Sequence, residues 1–328
     1  MKVLVTGAGG FVGYELVKNL RSKNVEVKAL IRNEAQRSKL EQEGAEVVIG
    51  DIKNKDEMLR VANGVEKIFH IAALFRQAGL PDSEYYKVNL EGTRNLLDAA
   101  VSNNVEHFIH CSTVGVHGNV ENPPADENTP FGPGDIYQIT KLEGEKLVLK
   151  YANEKKLNAR VIRPAMIYGP NDTRMFKLFK MIANQKFFYV GHGNALVHFV
   201  DVRDLAEAFY LAGENKDING EVFIVAGESP KSLKEMTQKI AEIYKVKKPW
   251  VHLPVKPMQW LGVICEAICT PFKINPPIFK RRVDFFTKNR SFNSEKAKKI
   301  LGYKTSKPFE KELEEVARSY VESGLIKL

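Results

Sequence analysis

Short apolar runs alternate with helical stretches along the first two thirds of the chain. Val3 to Val5, the run 25–31, the run 45–49, the run 67–71 and the run 106–111 read as buried strands. Between them, apolar residues recur at helical spacing. Phe11, Leu16, Val17 and Leu20 share one face of a first helix, and a second helix ends at Gly44. Asn54 caps a third helix, and a long one covers 85–102. Apolar runs alternating with amphipathic helices predict an α/β fold, a parallel sheet doubly wound with helices on both faces. Right-handed crossovers then bring the carboxyl ends of all strands to one edge, where ligands bind.

The first strand enters the first helix through Gly7, Gly10 and Gly13, with Phe11 and Val12 between. Such a turn leaves the first N–H groups of the helix unpaired at the positive end of its dipole, which suits a phosphate. Glycine is needed because a Cβ would block the turn and hold a diphosphate off the backbone. The spacing is Gly-x-x-Gly-x-x-Gly, and its place between strand and helix makes it a dinucleotide signal.

Other strand ends converge on the same crevice: Arg32, Asp51, Ala72 and Thr113. A ribose 2′-hydroxyl is commonly held by an acid at the end of the second strand, but Arg32 stands there. A guanidinium suits a 2′-phosphate, so NADP is expected over NAD. After a Pro- and Gly-rich loop over 118–134, Asp135 caps a helix carrying Tyr137 and Lys141. Spaced at i and i+4, the two share one helical face. A free phenol has a pKa of about 10 and is a poor base at neutral pH. An ammonium one turn away should lower it and let the pair pass a proton to or from an alcohol oxygen.

Composition narrows the class. With 328 residues the chain is one large or two intimately joined domains. It is ordinary in its hydrophobic (44%) and charged (27%) fractions, so a soluble globular protein is expected. The net charge of +9 comes from lysines and arginines interleaved with acids, which favours an ordinary soluble basic surface; an anionic cofactor or a membrane face could also use that field. No stacking platform or basic stripe points to nucleic acid. Three cysteines without a framework predict reduced thiols and a cytoplasmic setting, and no His or Cys spacing predicts a metal. The chain begins directly in a strand, with no leader expected, and no stretch has the apolar length of a membrane span.

The motifs together resemble the extended short-chain dehydrogenases/reductases over nearly the whole chain. The segment 6–13 is similar to that family's cofactor turn in its Rossmann fold, and Gly50-Asp51-Ile52 to its adenine contact. Phe69-His70-Ile71-Ala72-Ala73 resembles its fourth-strand motif, and the segment from Asn89 to Leu97 its long helix. Cys111-Ser112-Thr113 resembles the segment bearing its catalytic hydroxyl, and Arg163-Pro164 and His198 to Asp204 two further signatures. The resemblance implies that Tyr137 is the acid/base and that Lys141 lowers its pKa and holds the nicotinamide ribose. Thr113 would bond the reacting oxygen, with Ser112 as the alternative. It also implies that Ile52, Ala73, Asn89 and Pro164 join the cofactor site. A homodimer through the helices near 89–102 and 137–152 is implied too.

Val197 stands where nucleotide-sugar enzymes of the family carry an arginine. The segment 191–200 resembles 3β-hydroxysteroid dehydrogenases, and 29–32 with 111–113 resemble dihydroflavonol reductases. The implied activity is NADP-dependent interconversion of a secondary alcohol and ketone on a lipophilic small molecule. An NAD-dependent nucleotide-sugar epimerase or dehydratase is the alternative, and a non-catalytic dinucleotide-binding protein a third.

The last third sets the substrate in this reading. The strand 221–225 returns to the main sheet, a capping box at Ser232 and Glu235 opens a helix, and Pro308 starts a last one that Gly324 ends. The expected division is 1–170 plus 195–226 for the dinucleotide, and 171–194 plus 227–328 for a smaller C-terminal α/β lobe. The stretch 250–282 is dense in apolar residues, Met258, Trp260, Leu261, Ile264 and Ile268 among them, and ends in Lys280-Arg281-Arg282. It reads as the core of the lobe, as a lid over a lipophilic substrate, or as a face for peripheral membrane contact.

Overall fold

Seven parallel strands form the central sheet of the protein. The computed structural model describes residues 1–77, 79–269, 283 and 286–328. The strands are β1 (Lys2–Thr6), β2 (Glu26–Ile31), β3 (Glu46–Ile49), β4 (Lys67–His70), β5 (His107–Cys111), β6 (Asn158–Pro164) and, after four short strands described below, β11 (Val222–Val225). Their order is β11-β6-β5-β4-β1-β2-β3. The chain runs outward from β1 to β3, then returns to β4 on the other side, so the switch in direction falls between β1 and β4. That is where a doubly wound sheet opens its ligand crevice.

The pleat explains the two cores. Val3 and Val5 face one side with Ile109, and Leu4 faces the other with Phe108. Strands buried on both faces read as near-continuous apolar runs, and the polar side chains that interrupt them here, such as His70, His110 and Arg163, are buried and hydrogen-bonded. On the first side lie α1 (Phe11–Ser22) and α8 (Val202–Glu214), through Leu16, Val17, Leu20, Leu205 and Phe209. On the second lie α3 (Lys55–Val61), α5 (Gly92–Ser102) and α6 (Ile136–Asn153), through Met58, Leu96, Leu97 and Val148. Between β2 and β3 runs α2 (Arg37–Gln42).

The helix expected over 85–102 departs from one regular rod. It begins as α4 (Asp82–Tyr85), widens into a π turn (Tyr86–Glu91) and continues as α5. Asn89 sits in the wide turn, and its side chain accepts from the Leu74 N–H and donates to the Leu74 carbonyl. The helix and the loop after β4 are thereby locked together. Gly144 of α6 lets the two helices meet, since a Cβ there would lie 2.8 Å from the Asn89 carbonyl oxygen.

A third core lies beyond the carboxyl edge of the sheet. It joins β7 (Met166–Tyr168), α7 (Phe176–Ala183), β8 (Tyr189–Val190), β9 (Leu196–Val197), β10 (Phe199–Asp201), α9 (Leu233–Ile243) and the C-terminal helix Phe309–Glu322. Tyr168, Phe179, Tyr189, Phe199, Ile240 and Tyr320 fill it. Three two-stranded ribbons brace it: β7 with β10, β9 with β12 (Lys231–Ser232), and β8 with β13 (His252–Leu253). Ser232 and Glu235 make the expected capping box at the start of α9. A last helix of this region, α10 (Val255–Cys269), packs Met258 against Val190 and Val283. The remainder of the apolar stretch, 270–282 with its basic end, lies outside the described residues.

Candidate functional site

The sheet's carboxyl edge and the third core enclose a cavity of about 1550 Å³. The glycine turn forms its floor. Gly7 has φ +67°, and a Cβ on Gly13 would lie 2.1 Å from the Gly7 carbonyl oxygen. That is backbone against backbone, so α1 meets the turn at a distance only glycine permits. Gly10 begins α1 with no side-chain cap and no acid in the first turn. The first N–H groups of α1, on Phe11, Val12 and Gly13, have no partner inside the helix. Gly7, Gly10, Phe11, Val12 and Gly13 all border the cavity. A glycine cradle with uncapped donors fits the diphosphate of a dinucleotide.

Around this floor the cavity is lined by Arg32, Ile52, Ala72, Ala73, Thr113, Tyr137, Lys141 and Pro164. Arg32 is exposed at the end of β2 and, among the described residues, has no carboxylate partner. Asp51 and Asn89 stand back from the lining. The Asp51 carboxylate accepts from the Lys53 N–H at 3.0 Å and pairs with its ammonium at 3.7 Å. The side chain of Asn89 is spent on Leu74 and on Thr140.

Ser112 and Thr113 are separated by their hydroxyls. Ser112 is buried and donates to Glu145 Oε2 at 2.6 Å. Glu145 in turn pairs with Arg163, both nearly inaccessible. Arg163 Nη1 reaches His117 Nε2 at 3.1 Å. Strand alternation turns the next hydroxyl, on Thr113, the other way, where Oγ1 accepts from the Gly115 N–H at 3.0 Å.

Tyr137 and Lys141 depart from the expected electrostatics. Burial pushes the phenol up, the neighbouring Cys111 and Asp135 add to this, and the Arg76 and Arg174 guanidiniums oppose it. Lys141 is buried, and burial lowers its own pKa. Its Nζ lies 3.4 Å from His110 Nε2 rather than serving as the phenol's counter-charge. Burial, then Lys141 and His70, hold His110 well below its ordinary value, so it is a neutral acceptor. His110 Nδ1 has no hydrogen-bond partner among the described residues. His70, lowered to about 3 by burial and Lys141, bridges Thr6 at 2.8 Å and Thr93 at 3.0 Å.

Several lining residues escaped the sequence reading. The Phe75 ring meets Tyr137 edge-on at 5.0 Å, and the Arg76 guanidinium lies 5.1 Å from the Tyr137 ring. Arg76 is fixed by Asp135 at 2.6 Å. Gln36 covers the turn, donating to the Gly9 carbonyl at 3.1 Å. Arg174 stacks over Phe11 at 5.1 Å and is held by Asp172. The available signal was topological: Phe75 and Arg76 follow β4, so they belong at the same edge. Arg174 carried no such signal, because it comes from the lobe.

The family model of the NAD dependent epimerase/dehydratase family matches residues 3–226. The chain belongs to this family. It is an NAD(P)-dependent oxidoreductase of the extended short-chain dehydrogenase/reductase type. A 4-hydroxy-2-methyl-3-oxo-4-farnesyl-3,4-dihydroquinoline-1-oxide ketoreductase of Stigmatella aurantiaca is 27% identical over 311 residues, covering 92% of each chain. An N-acetyl-alpha-D-glucosaminyl-diphospho-ditrans,octacis-undecaprenol 4-epimerase of Escherichia coli O157:H7 is 30% identical over 270 residues, 81% of this chain and 79% of that one. The crystal structure of gox2253 superposes with a TM-score of 0.84 at 31% identity, covering 99% of each chain. The seven-stranded fold of the family is therefore this chain's fold.

Proposed function

We propose that this family member is an NADP-dependent reductase or dehydrogenase acting on a secondary alcohol or ketone of a lipophilic small molecule. One observation carries the reading. The hydroxyl-bearing residues Thr113 and Tyr137 share a single cavity with an apolar wall of Met175, Leu178, Met181, Phe188, Val190 and Met258. In this reading 1–170 plus 195–226 hold the cofactor, and 171–194 plus 227–328 shape the substrate space. Arg32, which has no carboxylate partner among the described residues, would receive a 2′-phosphate. The farnesylated substrate in the name of the Stigmatella relative supports the substrate class.

A nicotinamide cofactor held along Gly7, Gly10 and Gly13 would supply the hydride that the carbonyl carbon needs. Tyr137 gives its phenolic proton to the carbonyl oxygen as that oxygen gains charge, and solvent returns the proton afterwards. Burial keeps the phenol protonated, which is the state in which reduction begins. Thr113 donates a hydrogen bond to the same oxygen. Lys141 offers a donor to the ribose end of the cofactor and receives its own support from His110. A homodimer through α5 and α6 is part of the reading, and sedimentation of a monomer would remove that part.

The test is a screen of lipophilic ketones and sugar nucleotides with NADPH and NADH. Net consumption of NADPH with a ketone is the expected outcome, and Tyr137→Phe should lower kcat at least 100-fold while NADPH still binds. A second reading, a nucleotide-sugar epimerase, draws on Arg174 and Lys177, which line the cavity and could meet a diphosphate. The Escherichia relative's name supports it. That enzyme would retain NAD and show no net change in reduced cofactor. Full cellular function in Tyr137→Phe would instead favour a non-catalytic dinucleotide-binding protein.

A further inference from the structure

Helix α10 is apolar on both of its sides. Val255, Met258, Gly262, Cys265 and Cys269 recur at helical spacing and form the inner side, with Met258 lining the cavity. The outer side carries Trp260, Leu261, Val263, Ile264 and Ile268, each at least half exposed. An ordinary surface helix has a polar outer face. Here Trp260 is 72% exposed, and Trp250, just ahead of β13, is 78% exposed. These are the chain's two tryptophans. An exposed apolar patch of this kind marks an interaction site.

Charge says what kind. Between Ile243 and Glu266 the sequence has Lys245, Lys247, Lys248 and Lys256 and no acid. Lys245, Lys247 and Lys256 are exposed, and Lys248 pairs with Glu242 at 2.7 Å. Tryptophan favours the boundary between water and hydrocarbon, and lysines beside it favour anionic headgroups. A second copy docking on this face by two-fold symmetry would bring the same lysines together. With 15 residues α10 is too short to cross a bilayer, and no helix among the described residues is long and apolar enough to do so.

We propose that the outer side of α10 rests on a lipid bilayer bearing anionic headgroups. Trp260, Leu261, Ile264 and Ile268 lie at the acyl boundary, and the lysines meet the phosphates. The same helix turns Met258 into the cavity, so a lipophilic compound can pass from the acyl layer to the site along one apolar element. The binding itself rests on no assumption about the reaction.

The test is flotation of the full chain with vesicles of phosphatidylcholine, alone or mixed with phosphatidylglycerol. Binding to the mixed vesicles should be at least tenfold tighter than to the neutral ones. Tryptophan emission should shift to the blue on binding and be quenched by brominated acyl chains. The triple variant Trp260→Ser, Ile264→Ser, Ile268→Ser should lose at least tenfold in vesicle binding. The pair Lys247→Glu, Lys256→Glu should lose the preference for anionic vesicles, and it retains every apolar side chain should the triple variant fold poorly. Tyr137→Phe should float like the parent chain, which keeps this result separate from the chemistry. No flotation with anionic vesicles, or flotation undiminished in both variants, overturns the proposal. So does a soluble dimer that the triple variant splits, since a second copy would then cover the face.

Discussion

The two walls of the cavity are built in opposite ways. On the sheet side, backbone meets backbone at Gly7 and Gly13, and polar groups are tied in pairs: Ser112 to Glu145, Glu145 to Arg163, His70 to Thr6 and Thr93. On the lobe side, α10 contributes Met258 to the cavity and presents large apolar side chains outward. The first wall is tied together by these buried pairs, and the groups left unpaired on it, His110 Nδ1 and the first N–H groups of α1, are the exceptions. The second is lined chiefly by apolar side chains, which pack without directional partners, with Arg174 held by Asp172 as its polar exception. In the proposed reading this suits an enzyme that holds a dinucleotide on one side and a lipophilic compound on the other.

The contrast breaks most easily at the buried pair. Glu145→Leu leaves the Arg163 guanidinium buried without its counter-charge, and the expected loss is about 3–5 kcal/mol in chemical denaturation. The double variant Glu145→Leu, Arg163→Met should recover most of it, since an apolar pair carries no stranded charge. Gly13→Ala should cost about 3 kcal/mol and abolish dinucleotide binding, because the new Cβ meets the Gly7 backbone. Fluorescence titration with NADPH checks the second part. A Gly13→Ala variant that bound cofactor normally would show that the turn can open to admit a Cβ.

The lobe has its own buried acid. Burial raises Glu312 to about 7, the Asp201 and Asp204 carboxylates add to this, and the Tyr168 hydroxyl and Arg203 oppose it. Below about pH 4 the carboxyl is protonated in both folded and unfolded chains. As pH rises toward 7 the unfolded chain loses the proton first, so stability falls across that window. Glu312→Gln should therefore be more stable than the parent at pH 8, by on the order of 2 kcal/mol, and equal to it near pH 4. Melting curves at the two pH values decide it. Smallest of all, Leu261→Ser on the outer side of α10 should change stability in solution by less than about 0.5 kcal/mol. A large loss there would mean that the outer side is held by packing and that the contrast between the walls is false.

Much of the first wall was legible because its rules are local. A glycine where a Cβ has no room, a capping Asn54 or Asp135, and apolar runs of strand length are all settled within a few residues. Arg32 and Thr113 reach the cavity because every strand of a parallel sheet ends at one edge. Asn89 was harder to read, since its part is played by a π turn and by the loop after β4, which no periodicity announces. The i and i+4 spacing put Tyr137 and Lys141 on one helix face, but spacing carries no information about desolvation.

The chain's own pattern of apolar, glycine and capping residues determined the doubly wound sheet, the glycine turn and several of the residues at its edge. Tertiary structure alone decided which neighbour each polar group answers to: Glu145 for Ser112, His110 for Lys141, Arg76 for the Tyr137 ring. It also decided that one side of α10 stays bare. The physical reason is range. Backbone preference and hydrophobic period act over one or two turns of chain, whereas burial, charge pairing and exposure depend on segments that only folding brings together.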